Sequence, residues 1–328
     1  MYSNILVPLD ASKFSETVLP LVETLAKAAS AKVTFVVVGE PFVEEIGYAP
    51  EGLGVDTTYA PVGLPPPLPD LDRHRTTLDQ ALQRFQDRGR TYLDAAARPL
   101  RSKGVAVEVE VLLGRVADRI AHYARDHNAD LVAMATHGRT GLARLRYGSV
   151  ANELTQRLEM PLLLMRPKED SGDGGSTPPR IPRCLVVPLD GSSLAEQALP
   201  HARAIASMLG IEAHLIRVVG QPGLAFLEPD EAPIQGLEAE RARAAGDYLQ
   251  RVQGDLSAGG IKANIAVLHG QPAMNIVTYA SGLSDSLICM TSHGRTGLGR
   301  FLLGSVADKV LREMPDSVYL VRARAQAA

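Results

Sequence analysis

The chain has 328 residues, enough for two domains of ordinary size. A content of 45% hydrophobic and 22% charged residues excludes a disordered polymer, and a formal charge of −3 supplies no basic excess for nucleic acid. Only 5% of residues are aromatic and none is Trp, so the cores must be built from Val, Leu, Ile and Ala, which suits parallel strands buried on both faces.

The first strand is predicted at 4–9, in "NILVPLD". It follows the N-terminus directly, with no secretory pattern ahead of it, and no apolar run reaches the roughly 20 residues that cross a bilayer. The expectation is a cytoplasmic protein that contacts no membrane. A helical pattern at 14–29 and a strand at 32–38 come next. Residues 39–75, with "YAPVGLPPPLPDLD", are rich in Pro and Gly and read as an insertion that is functional or disordered. Helices are predicted at 76–102, 116–128 and 149–158, alternating with strands at 105–112, 130–135 and 161–166. The segment "PKEDSGDGGSTPPRIP" (167–182) has linker composition.

After it the pattern repeats. Strands are predicted at 184–189, 211–219, 261–268, 286–291 and 317–322, with helices at 193–209, 236–258, 272–282 and 305–314. Ser193 and Glu196 have the spacing of a capping box. The domains are therefore 1–166 and 183–323. Strand–helix alternation implies parallel strands, right-handed crossovers and helices on both faces, so each half is an α/β doubly wound, Rossmann-like sheet.

Two stretches occur twice. Val-Pro-Leu-Asp-x-Ser ends the first strand of each half, so Asp10 and Ser12 match Asp190 and Ser192. "ATHGRTGLARLRYGS" (135–149) returns as "TSHGRTGLGRFLLGS" (291–305), and Gly114 matches Gly270 ahead of them. Ligands of open α/β sheets bind beyond the carboxyl ends of the strands, where these stretches fall. Gly138, Gly148, Gly294 and Gly304 let backbone approach an anion closely. Ser149 and Ser305 stand where helix N-caps would, and the amides beside them, with the helix dipole, favour phosphate. Arg139 and Arg295 add charge and bidentate hydrogen bonding. His137 and His293 hold matched places, suited to bonding a phosphate or to pinning the loop from within.

Several other chemistries fail on spelling. Neither a Walker-type G-x-x-x-x-G-K-[ST] nor a G-x-G-x-x-G after a first strand is present. Asp10, Ser12, His137 and Ser149 near one strand end invite a hydrolase triad, but the G-x-S-x-G elbow is missing. His122 and His127 are off the spacing of a helical metal pair and read as surface residues. Cys184 and Cys289 are too few for a disulfide framework or a four-ligand zinc site. They read as reduced core residues, with a redox pair on neighbouring strands as the rival reading.

Thr/Ser-His-Gly followed by x9-Gly-Ser, combined with Val-Pro-Leu-Asp-x-Ser on the first strand, resembles the universal stress proteins in their tandem form. The resemblance implies a five-stranded parallel sheet of order 3-2-1-4-5 in each half. It also implies an ATP-binding subgroup marked by G-x2-G-x9-G-[ST]. By that likeness Asp10 and Asp190 would meet the ribose, with Ser12 and Ser192 two residues on, and Pro8 and Pro188 would shape the turns beside them. Val37 and Val218 would contact the base, and Gly114 and Gly270 would close over the nucleoside. The phosphates would rest on Gly138, Gly148, Ser149 and Val150 in one half and on Gly294, Gly304, Ser305 and Val306 in the other.

One departure stands in both copies: the motif's first glycine is Ala135 and Thr291. A Thr would be an outlier if that position needs positive φ. The last strands, "PLLLMR" and "SVYLVR", would pair antiparallel across a pseudo-two-fold, giving a pseudo-dimer within one chain, with a homodimer of chains as a further option. The expected function is regulation of the stress response through ATP, with or without a magnesium ion, in one or both halves. No general base is placed for fast turnover. A nucleotide-free interaction module is the alternative, and a slow ATPase or phosphotransfer protein the next.

Overall fold

The computed structural model describes residues 2–39, 71–136, 148–166, 168–169, 176–177, 181–220, 231–293, 303–313 and 317–323. The first half runs β1 (Asn4–Pro8), a 3-10 turn (Ser15–Val18), α1 (Leu19–Ala29), β2 (Lys32–Gly39), α2 (Leu71–Ser102), β3 (Val107–Leu113), α3 (Val116–Asp126), β4 (Leu131–Ala135), α4 (Ser149–Arg157) and β5 (Leu162–Met165). Two two-residue strands, β6 (Lys168–Glu169) and β7 (Ser176–Thr177), pair with each other between the halves. The second half runs β8 (Cys184–Pro188), α5 (Ser193–Glu196), α6 (Ala198–Leu209), β9 (Glu212–Val219), α7 (Glu231–Ala258), β10 (Ala263–His269), α8 (Pro272–Ser281), β11 (Ser286–Thr291), α9 (Ser305–Glu313) and β12 (Ser317–Val321).

Ten strands make one sheet of order β10-β9-β8-β11-β12-β5-β4-β1-β2-β3. Each half is parallel with the order 3-2-1-4-5, as the resemblance implies. The seam is antiparallel: Val318 faces Leu164, Tyr319 faces Leu163 and Leu320 faces Leu162. Pairing the two apolar fifth strands removes two edges that would otherwise be open. It also turns the halves end for end, so their carboxyl ends open on opposite borders of the sheet.

Period-two alternation divides the buried residues between the two sheet faces. One face packs under α1, α2, α6 and α7, through residues such as Val7, Phe35, Leu93, Leu215 and Leu249. The other packs under α3, α4, α8 and α9, through Leu6, Val36, Ile120, Leu154, Ile216 and Val310. At the outer edge, β3 carries exposed Glu108 and Glu110, charges that discourage pairing with a further strand.

Three expectations about the helices need correction. The helices expected over 14–29 and 193–209 are each broken, into the 3-10 turn plus α1 and into α5 plus α6. Pro20 and Pro200 lack the amide hydrogen that would carry an α-helix through these points. The helix start of the second half is capped by Ser192, whose Oγ accepts from the Ala195 amide at 3.1 Å, rather than by Ser193. Glu196 is then one position too late for a capping box, and its carboxylate accepts from the Tyr248 hydroxyl at 2.9 Å. Finally, α2 begins at Leu71, inside the segment read as insertion.

The redox pairing of the cysteines is also excluded. Cys184 lies two residues before Val186, on the face under α8 and α9, whereas Cys289 packs on the opposite face. Both cysteines are buried and neither forms a disulfide.

Candidate functional site

The Asp-x-Ser motif has a local reason in both halves. Asp10 Oδ1 accepts from the Ser12 amide (2.9 Å) and hydroxyl (2.5 Å), and Asp190 Oδ1 accepts from Ser192 in the same way (2.9 and 2.6 Å). Each Ser Oγ then accepts from a helix-start amide, that of Ser15 or Ala195. This is an Asx turn joined to an N-cap. It spends the serine hydroxyls on structure and aims no nucleophile, so the triad reading has no support at Ser12.

Beyond the carboxyl ends of β8, β9 and β11 lies a cavity of about 390 Å³, within the range of small-molecule sites. Pro188 and Asp190 form one side and Ile216 and Val218 another. Met290 and Thr291 close the floor, and Gly304 to Ala307 present the start of α9. Apolar side chains thus face a helix terminus across a space large enough for an organic ring and its substituents.

The start of α9 is built to approach closely. The Gly304 carbonyl accepts from the Asp308 amide at 2.9 Å, which makes Gly304 the N-cap position and Ser305 the first helical residue. In the first half Gly148 likewise precedes Ser149 and accepts from the Asn152 amide at 3.0 Å, with no side-chain cap. The expectation that Ser149 and Ser305 are caps is corrected: the backbone extends at the glycine (φ −47°, ψ 159° at Gly148) and the serine enters the helix. A Cβ on Gly304 would lie 3.0 Å from the Ser292 carbonyl oxygen, so the glycine suits a close approach of loop to strand. The Gly304 amide itself is satisfied by that carbonyl at 2.8 Å. The next three amides, of Ser305, Val306 and Ala307, open the helix and have no intrahelical acceptor.

The departure from the motif's first glycine is resolved by backbone geometry. Ala135 and Thr291 end β4 and β11 with ordinary strand conformation, and neither is among the positive-φ residues. Thr291 Oγ1 donates to the His293 carbonyl at 2.8 Å and so braces the loop it begins. Ser292 donates its amide to Val321 O (2.8 Å), as Thr136 does to Met165 O (2.7 Å). The Ser292 Oγ lies 3.0 Å from His293 Nδ1, while Nε2 of this cavity-lining histidine is buried with no hydrogen-bond partner among the described residues.

Of the second-half residues expected at a site, Pro188, Asp190, Val218, Thr291, His293, Gly304, Ser305 and Val306 line one cavity. Ser192 and Gly270 do not. Ser192 is the cap described above. Gly270 turns the chain from β10 to α8 at φ +117°, its amide donating to Val219 O, and Gly114 does the same at φ +129° with Gly39 O. In the first half Pro8, Asp10, Ala135, Gly148, Ser149 and Val150 occupy the matching ends of β1, β4 and α4. His137, Gly138, Arg139, Gly294 and Arg295 lie outside the described residues.

Val37 is misplaced by one residue. Pro8 pairs with Val36 as Pro188 pairs with Ile216, so the counterpart of Val218 is Val38. Val37 points to the opposite face, into the core under α1 and α2. Ile216, Met290 and Ser292 also line the cavity, and the motifs do not point to them. Repeat register could have found Ile216, since it stands two residues before Val218 on the same strand face.

A helix start that opens on a cavity at the carboxyl end of a parallel sheet, in the second of two like-built halves, defines a duplicated doubly wound α/β protein. A model of the universal stress protein family matches residues 58–166 and 183–322, and the chain belongs to that family. The first match starts beyond β1 and β2, and the sheet shows that these strands complete the same unit.

The chain is similar to Universal stress protein MJ0531 of Methanocaldococcus jannaschii, 33% identical over 147 residues, covering 42% of this chain and 81% of that one. It is similar to Universal stress protein Rv2005c of Mycobacterium tuberculosis, 29% identical over 202 residues, 60% of this chain and only 63% of that relative's length. A solved universal stress protein from Archaeoglobus fulgidus DSM 4304 has the same fold, with a TM-score of 0.62 at 18% identity over 97% of this chain and 98% of that chain. So does the functionally unknown protein PA1789 from Pseudomonas aeruginosa PAO1, with a TM-score of 0.64 at 14% identity over 98% and 93%. No helix among the described residues is long and apolar enough to cross a membrane.

Proposed function

We propose that this protein binds an adenine nucleotide, ATP in the first instance, at the carboxyl end of one or both half-sheets, and that it acts in the cytoplasm as a regulator rather than as a fast enzyme. The observation that carries this reading is the convergence of Asp190, Val218 and the first turn of α9 on one cavity of about 390 Å³. An apolar wall suits a base, a carboxylate beside it suits ribose hydroxyls, and helix-start amides suit phosphate. Among the described residues no group of three or more His, Cys, Asp or Glu side chains could hold a metal ion, and the start of α9 offers phosphate its amides and dipole.

The test uses a substitution that blocks anions while favouring the helix. Aspartate at the first helical position is stabilised by the positive helix end, so Ser149→Asp and Ser305→Asp should leave the fold intact and repel phosphate. Ligand at 100 times its Kd adds about 2.7 kcal/mol of stability. ATP should therefore raise the Tm of the natural protein by several degrees and leave the double variant unmoved. No shift of the natural protein at millimolar ATP would favour the nucleotide-free module. ADP appearing well above background would favour the enzyme.

A further inference from the structure

We propose that His293 is a proton-linked contact of the second site: its Nε2 bonds the phosphate of a nucleotide seated on the α9 amides, so that binding takes up a proton and tightens as pH falls. The inference rests on the nucleotide-binding reading above and assigns that site a regulation.

The ring is held from behind. Ser292 Oγ accepts from the Ala323 amide at 3.2 Å and lies 3.0 Å from His293 Nδ1, so loop, strand end and imidazole form one hydrogen-bonded unit. The opposite nitrogen, Nε2, is buried and has no hydrogen-bond partner among the described residues, and His293 lines the same cavity as the start of α9. Buried polar atoms in folded proteins nearly always have a partner, and an orphan at a cavity wall marks where a ligand atom belongs. A protonated imidazole donates from both nitrogens, which would serve Ser292 Oγ on one side and a phosphate oxygen on the other.

The charges around the ring set the direction. Burial disfavours an imidazolium, and Arg322, just past the end of β12, acts in the same sense, so the ring is neutral in the free protein at neutral pH. The positive end of α9 adds to this. The carboxylates nearby offset it only in part: Asp190 lines the same cavity, while Asp308 in the first turn of α9 is paired with Arg312 at 2.9 Å. A polyphosphate brings several negative charges against Nε2 and reverses the balance. Protons are then taken up on binding across the window between the lowered free value and the raised bound value.

The experiment uses the full chain carrying Ser149→Asp, which silences the first site and with it any part played by His137. ATP binding is measured by calorimetry from pH 6 to pH 8 in buffers of different ionisation enthalpy. The comparison is with the same protein also carrying His293→Gln, whose amide does not titrate; the nucleotide's own protonation cancels between the two. The expected result is affinity about 5- to 10-fold tighter at pH 6 than at pH 8, relative to the His293→Gln protein, with a fraction of a proton taken up per nucleotide. Histidine-selective NMR supplies a second readout. The resonance missing from His293→Gln should titrate below the ordinary histidine range and move upward with saturating ATP. Equal pH slopes, or a midpoint that ATP leaves in place, would overturn the inference while the nucleotide reading stands. Absence of any ATP binding in the Ser149→Asp protein would remove that reading for this half.

Discussion

Tyr319, Tyr2 and His201 form a hydrogen-bonded relay across the seam. The Tyr319 hydroxyl donates to Tyr2 Oη at 2.7 Å, and Tyr2 lies 2.9 Å from His201 Nδ1. Tyr2 precedes β1 of the first half, whereas Tyr319 and His201 belong to the second, so three side chains join the halves. Since the Tyr2 oxygen already accepts from Tyr319, its own hydrogen goes to a neutral His201. Burial holds the His201 pKa below its ordinary 6.5. A depressed histidine binds its proton more readily unfolded, so its contribution is complete above about 6.5 and is lost as pH falls through the folded value. Denaturant unfolding should thus show stability declining from pH 6.5 downward. In His201→Leu that slope should shrink to the remainder due to His293, and stability at pH 7.5 should drop by about 1–3 kcal/mol because the Tyr2 hydroxyl loses its acceptor. An unchanged slope in the variant would show that His201 is not the titrating group.

Among the elements, the strands were legible because buried apolar runs bounded by Asp, Gly and Pro have few alternatives, and observed ends fall within two residues of expected ones. The repeats also mark the strand and helix ends that line the cavity of the second half. What failed was register within β2. "FVVV" (35–38) is apolar at every position and carries no mark of which face is which, whereas β9 interrupts its run with Arg217 and exposes the alternation. The run therefore points to Val37, whereas the sheet register makes Val38 the counterpart of Val218. Helix starts misled for a similar reason: Gly-Ser reads as a serine cap, but the extended glycine takes the cap position by backbone alone. A pair of substitutions separates the valines. Val37→Ala should cost about 2 kcal/mol in urea unfolding by opening the core, with ATP affinity kept. Val38→Ala should instead weaken ATP binding to a protein carrying Ser305→Asp. Should Val37→Ala weaken that binding more than Val38→Ala, the register assigned to the site is wrong.

At the scale of the molecule the carboxyl ends of the two half-sheets open on opposite borders of one sheet, yet the core between them is continuous. Each apolar layer contains residues of both halves: Val7 and Phe35 share theirs with Leu163, Tyr319 and Leu215, and Leu6 and Val36 share theirs with Leu164, Val318 and Ile216. Helix α1 packs against α6 over the seam, and the Arg322 guanidinium donates to the Thr155 carbonyl in the last turn of α4, at 3.4 Å. Layers and ladder shared in this way couple the halves, because exposing one strips partners from the other. Unfolding should then be a single transition, and a ligand held by one half should protect both, since it stabilises the only state able to hold it. Hydrogen exchange on the Ser149→Asp protein is the decisive measurement. With the first site silenced, saturating ATP should slow exchange of the slowest amides in β1 and β4 as much as in β8 and β11. Protection confined to β8–β12, or a biphasic melt, would mean that the seam joins two independent folding units and that the antiparallel ladder carries little of the stability argued for it.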